Sequence, residues 1–236
     1  MSTAEPIVSA ATLRVVGRRF LGVPLRSQTY RNLSYLLLAL PLGIVYAVGL
    51  VTGTAVGTGL LLTWVGLPVL LATLAGAAVA AGIEARLASG LVGVDAAVPT
   101  VLREFDVREG VTFPGDGFAD ALRRLVTAPS TWTSVVLVVY KFVVGLVSFV
   151  AVVTVGSVTL ALLAAPLVYD ASGALATGGA AGRYRIGSWV VSSLPEAVAV
   201  AGVGVIALIA GLNLLNRLAR FQARSVATIL RTGERG

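Results

Sequence analysis

Long intervals without a charged residue alternate with short polar ones along this chain, and those intervals set its architecture. Leu33 to Thr52 is twenty residues with no charge. At about 1.5 Å per residue that is enough to cross a hydrocarbon core of roughly 30 Å. A second apolar run covers Gly57 to Gly82 and a fourth covers Pro195 to Leu215. The third, Thr133 to Val168, holds 36 residues with Lys141 as its only charge. One helix of that length would reach about 54 Å, so a turn is expected near Gly156-Ser157. The pattern predicts spans over 33–52, 57–82, 133–155 and 195–215, with a partial insertion at 158–168 that Pro166 breaks. The first hairpin is expected to turn in the small-residue stretch Thr52 to Gly59. In the second span, Ala72, Gly76 and Ala80 repeat at four-residue spacing, as a close helix contact in lipid requires.

The first span recurs. Shifting the sequence by 102 residues lays Gly43 on Gly145, Val45 on Val147, Val48 on Val150 and Thr52 on Thr154. Just upstream, Thr29-Tyr30 falls on Thr131-Trp132. Each of these spans is also preceded by an amphipathic stretch. Leu13, Val16 and Phe20 share one face of Thr12 to Leu21, and Phe118, Leu122 and Leu125 share one face of Asp116 to Val126. Both read as interfacial helices at headgroup depth. The expected fold is therefore all-α, an integral membrane protein of about four transmembrane helices in two duplicated, hairpin-like halves.

Composition agrees with that class: 57% of residues are hydrophobic and 12% charged, with a mean hydropathy of +0.93. The chain has no cysteine, which excludes disulfides, thiolate metal sites and palmitoylation. It has no histidine, which removes the commonest general base and metal ligand. No cofactor or metal is expected, and no catalytic constellation is visible. The net charge of +7 comes from seventeen arginines and one lysine placed beside spans, which indicates membrane topology rather than nucleic acid. Five arginines lie at or before Arg31, five within Glu84 to Ser130, and five from Arg217 to Arg235. The excess predicts that both termini and the 84–130 segment are cytoplasmic. The domain reading is a cytoplasmic N-terminal segment over 1–30, a membrane domain over 31–216 and a basic tail over 217–236. Tyr169 to Ser193 is then external. "ALATGGAAGRYRI" reads as a small β-hairpin lid turning at Gly178-Gly179. It is too short to build a core of its own.

A few residues are candidates for function. Lys141 lies two turns inside the third span, and an intramembrane charge is a functional candidate by default. The expectation here is that its long stem snorkels to the headgroups. Glu196 is the one acid read as lying in or near a span. Ser193 and Glu196, with Pro195 between them, have the spacing of a capping box at the start of the last span. Lys141 and Glu196 sit near opposite membrane faces, so no ion pair is expected. Beyond the last span the helix should continue, with Arg217, Arg220, Arg224 and Arg231 on one stripe opposite Leu215, Val226 and Ile229. Such a stripe suits an anionic lipid surface or a partner helix.

Several phrases resemble one family, the sensor domain of prokaryotic signal transduction proteins found in haloarchaea and actinobacteria. They are "FLGVPLRSQTYRNLSYLLLALPLGIVYAVGLVTG" at 20–53, "GLLLTWVGLPVLL" at 59–71, "STWTSVVLVVYKFVVGLVSFV" at 130–150, "APLVY" at 165–169 and "WVVSSLPEA" at 189–197. The last, with Trp189, Leu194, Pro195 and Glu196, is the most specific. Relatives often read Arg-Phe-Pro-Leu-Gly in the second repeat. Here Lys141-Phe142-Val143-Val144-Gly145 keeps the charge and loses the proline. The resemblance implies a non-catalytic membrane sensor without a kinase module, acting on a cytoplasmic partner or as a homo-oligomer within the bilayer. The competing expectation is a small transporter or channel built on the internal repeat.

Overall fold

The computed structural model describes residues 22–96, 127, 129–169, 185–186 and 189–234. The interfacial helices expected over 12–21 and 116–126, and the Gly178-Gly179 turn, lie outside these residues. A 3-10 turn at Val23–Leu25 leads into four long helices: α1 Ser27–Gly59, α2 Gly66–Leu87, α3 Pro129–Val168 and α4 Leu194–Glu234. All four are long and apolar enough to cross a membrane. Strand β1, Arg185–Ile186, pairs antiparallel with β2, Trp189–Val190, in the register Arg185 to Val190 and Ile186 to Trp189.

Three boundaries differ from expectation, each for a physical reason. The glycines and threonines of Thr52 to Gly59 do not turn; they complete α1. The hydroxyls of Thr54 and Thr58 donate to the carbonyls of Leu50 and Thr54, so the helix satisfies them itself. The turn falls instead on Leu60 to Val65, with Leu62 and Trp64 almost fully exposed. It closes at Gly66, where a Cβ would lie 2.4 Å from the Leu60 carbonyl carbon. The second span therefore starts nine residues later than expected and runs further. It passes Glu84 into a π-helical turn, Ala88–Val92, that ends on Gly93 in the left-handed conformation.

The third difference is α3. No turn occurs at Gly156-Ser157 and no separate insertion exists at 158–168; the helix is continuous for 40 residues. Inside lipid every backbone group needs an internal partner, and an unbroken helix supplies one where an open turn would not. Pro166 sits in the last turn, so it interrupts little of the ladder. At about 60 Å, α3 is twice the thickness of a bilayer core. α4 likewise runs on from the apolar segment through the basic tail without a break, as the arginine stripe led one to expect.

The chain divides into two compact units. The smaller holds residues up to Thr29 together with Ala151 to Leu215. In it, the second part of α3 packs antiparallel on the first part of α4: Gly204 sits against Leu162 and Leu163, and Gly211 against Val155. Its core is Ala165, Val191, Ala197 and Val200.

The larger unit holds Tyr30 to Val150 and Asn216 to Gly236. Here α1 and α2 form an antiparallel pair, with Gly53 against Thr73 and Gly57 against Leu70. At the other end of the pair Arg31 donates to the Gly90 carbonyl. Helix α3 crosses α1 closely and antiparallel. Gly43 faces the backbone of Lys141 and Phe142, and Gly145 faces that of Ala39 and Leu40. Alternating spans would make α1 and α3 parallel; here the two helices run antiparallel. Helix α2 runs alongside α3, Ala77 and Ala80 packing with Val138. The end of α2 and the start of α3 thus lie at opposite ends of this unit.

Two predictions follow from this packing. A Cβ at Gly145 would lie 2.6 Å from the Ala39 carbonyl oxygen, whereas one at Gly156 meets nothing within 4 Å. Gly145→Ala should cost about 1–3 kcal/mol through overpacking. Gly156→Ala, in a helix interior, should be neutral or stabilising by up to about 1 kcal/mol. Unfolding titrations in detergent measure both, and a costly Gly156→Ala would restore a turn at that position. The second prediction uses the absence of native cysteines. Single cysteines replacing the exposed residues Asp95 and Thr127 should react with an impermeant maleimide from opposite membrane faces.

Candidate functional site

In the larger unit α1, α2 and α3 each bury a stripe of small and polar residues. On α1 it is Asn32, Tyr35, Leu36, Ala39 and Gly43; on α2 it is Ala77, Ala80, Ala81, Glu84, Ala85 and Ala88. On α3 it is Ser134, Leu137, Val138, Lys141, Gly145 and Ser148. Spacing of three and four residues puts each set on one helical face. Small side chains let the backbones approach, and dispersion rather than water exclusion then holds the helices in lipid. Glu84 and Lys141 lie on these stripes and are therefore carried into the interface.

There they meet. Lys141 Nζ lies 2.6 Å from Glu84 Oε2, and both side chains are 1% exposed. The contact is a charge-to-charge approach without hydrogen-bond alignment. The ammonium also sits 4.4 Å from the centroid of the Tyr35 ring, a cation–π contact supplied by α1. So α1, α2 and α3 converge on one charged point. Among the described residues, Glu84 Oε1 and the hydroxyls of Tyr35, Tyr46 and Tyr140 are buried without a hydrogen-bond partner. Burying both charges is expensive, and mutual attraction repays it only while the pair holds together. The energetics are asymmetric: exchanging the whole pair for apolar groups is cheap, removing one member is not.

A second polar contact continues along α3. Ser148, two turns beyond Lys141 on the same buried face, donates to Gln222 Oε1 of α4 at 3.2 Å. Asn32 of α1 donates to Asn216 of α4 at 2.8 Å. On α4, Gln222, Ala223, Val226, Ala227 and Leu230 are buried and Ile229 is half-buried. Arg217, Arg220, Arg224 and Arg231 are exposed on the other side. The expected stripe is present, but its apolar back packs within the protein rather than on lipid.

The expectation that Lys141 snorkels is overturned: it is among the most buried large side chains described. The expectation that Glu196 is the one acid in a span is overturned by Glu84. Glu196 itself closes the start of α4, accepting from the Ser192 backbone N–H at 2.9 Å and hydroxyl at 3.3 Å. Ser193 contributes its carbonyl to the Ala197 N–H, and Pro195 is exposed in the first turn. Trp189 pairs with Ile186 in the two-residue ladder. None of these joins Lys141. Among the described residues no group of acids could hold a metal ion.

Glu84 was hidden by its position after Gly82, where the apolar run ends. One signal does point to it: the series Ala72, Gly76, Ala80 has Glu84 as its next member. Of that series Ala80 and Glu84 are buried, while Ala72 and Gly76 are exposed and line a groove.

A family profile described as "Putative sensor" matches residues 35–230. Comparison with curated proteins and with solved structures gave no match.

Glu84→Gln should leave the Lys141 charge uncompensated and destabilise the protein by about 3–5 kcal/mol. Lys141→Met should do the same to Glu84. The double variant should recover most of either loss, giving a coupling energy well above the 0.3–0.5 kcal/mol scatter of independent sites. Additive losses in a thermal or denaturant series would show that the pair carries no linkage.

Proposed function

Because the chain belongs to the family of putative sensor domains, we propose that it is a membrane-embedded input module of signal transduction whose state is held by the Glu84–Lys141 pair. The observation that carries this reading is the pair itself, buried between helices apolar enough to span a membrane. Sliding α2 against α3 must either keep the charges together or separate them at a cost of several kcal/mol. That gives two packings with a barrier between them rather than a continuum, which is what a switch requires.

The route outward runs along the buried face of α3, from Lys141 through Gly145 to Ser148, and across to Gln222 on α4. Movement of α3 displaces Gln222 and with it the exposed Arg217, Arg220, Arg224 and Arg231. Those arginines are the proposed output surface, read by an acidic face of a cytoplasmic partner or a second copy, or held by anionic lipid at about 1 kcal/mol each. The basic residues at Arg31, Arg86 and the tail favour the cytoplasmic side for that surface.

A second reading is a small transporter, and one observation favours it. The two glycines of the α1–α3 crossing are reciprocal: 43 and 145 differ by 102, and so do 39 and 141, and 40 and 142. A repeat crossing itself antiparallel is how inverted-topology transporters are built, and Glu84 supplies the buried acid such a path needs. Proteoliposome proton flux that disappears in Glu84→Gln would favour this reading.

The sensor reading is tested with spin labels on cysteines replacing the exposed residues Ile83 of α2 and Phe221 of α4. The double variant Glu84→Gln/Lys141→Met, which removes the lock without stranding a charge, should shift or broaden the distance distribution between them. Ser148→Ala should uncouple the tail from that shift. An unchanged distribution in the folded double variant overturns the relay.

A further inference from the structure

A groove of about 420 Å³ opens between α1 and α2, floored by Val138 of α3. We propose that it is a slot for a single acyl chain of a membrane lipid, and that its occupancy is the input the Glu84–Lys141 lock responds to. The second half of this statement rests on the sensor reading; the first does not.

The groove lies along the α1–α2 contact, where small residues leave the facing surfaces unfilled. Toward the turn, Gly53 and Gly57 press on Thr73 and Leu70. Toward the other end, Tyr46 and Leu50 pack on Ala77, Ala80 and Val138. Gly49 and Gly76 line the groove with nothing within 4 Å of where a Cβ would stand. Val45, Gly49, Ala72 and Gly76 on its rim are exposed, and in helices that span a membrane an exposed rim faces lipid.

The chemistry of the walls selects the occupant. Thr73 already donates its hydroxyl to the Val69 carbonyl at 2.8 Å. The Tyr46 hydroxyl is buried out of reach of solvent. No lining side chain remains to hold a polar head, an ion or water, so the site fits a hydrocarbon chain. An apolar cavity does not fill with water, and left empty its walls lose their dispersion contacts. The bilayer supplies chains at high concentration.

Tyr46 connects the slot to the lock. Its ring is a wall of the groove and packs against the cluster of Ala77, Ala80 and Val138, whose Ala80 and Val138 lie one helical turn before Glu84 and Lys141. A chain in the slot pins that ring; loss of the chain frees it to move toward α3.

The test uses the full-length protein in nanodiscs containing a phosphatidylcholine with a diazirine midway along one acyl chain. After photolysis, mass spectrometry should find labels enriched at Val45 and Val69 over the exposed Val147 and Val150 of α3. Gly76→Leu and Gly49→Leu, which place a side chain in open space, should cut slot labelling about tenfold, the ratio given by about 1.4 kcal/mol. Labelling at Val147 and Val150 should be unchanged, and melting curves should match the wild type. Uniform labelling, or enrichment that survives both variants, overturns the slot. The Ile83–Phe221 spin-label distance should shift in Gly76→Leu. A slot confirmed by labelling with no shift in that distance overturns the coupling to the lock and leaves the slot standing.

Discussion

Two opposite charges enclosed among apolar helices can neither leave nor separate cheaply, and the larger unit is arranged around that constraint. Glu84 and Lys141 sit at the same depth because α2 and α3 run alongside each other there, with Ala77 and Ala80 against Val138 below the pair. Helix α1 passes close enough to lay Tyr35 over the ammonium because Gly43 and Gly145 remove the side chains that would hold it off. A Cβ at either glycine would widen the crossing, and the ring would lose its place above the charge. The glycines, the alanine stripe and the ion pair are thus one device, in which small residues set the distance at which the charges compensate.

The lengths of the helices express a second constraint. Backbone groups within lipid need internal partners, so breaks concentrate where the chain can reach water or close tightly on itself. That is why the first turn falls on Leu60 to Val65 beside exposed Trp64, a residue suited to the interface, rather than on the glycine-rich residues before it. It is also why α3 remains helical through Gly156 and Ser157.

Much of this was legible in the sequence: four spanning helices, Glu196 in the first turn of α4, though it closes on Ser192 where Ser193 was expected, and the arginine stripe that continues the helix. The turn after α1 was misplaced because glycine and threonine are turn residues in water, whereas in α1 the threonine hydroxyls bond back to the helix. The break in α3 was inferred from bilayer thickness alone, which bounds a perpendicular span but not the length of a helix. Glu84 was missed because a charge at the end of an apolar run reads as the end of the span. Its burial depends on the register of α2 against α3, which no single segment carries. Lys141 was recognised as unusual, but whether a lysine snorkels or pairs depends on a partner 57 positions away.

The geometry of the pair bears on which kind of membrane protein this is. A transported proton or ion must reach its site from each side in turn, so at least one face of the site has to open toward water. Here the carboxylate is closed by the ammonium on one oxygen, the ammonium is closed by the Tyr35 ring, and both side chains are 1% exposed. The polar neighbours, the hydroxyls of Tyr35, Tyr46 and Tyr140, are separately buried rather than linked into a chain. Such an arrangement resists the passage of charge and opposes relative movement of the helices that carry it. Resistance of that kind is of little use to a carrier. In a sensor it sets the threshold, because a stimulus must supply free energy comparable to the separation of the pair before the packing yields. The polar contact from Ser148 to Gln222 ties α4 to the same helix that holds the lysine, and under the proposed relay a yield at the lock would reach the arginine face through that contact and the unbroken helix.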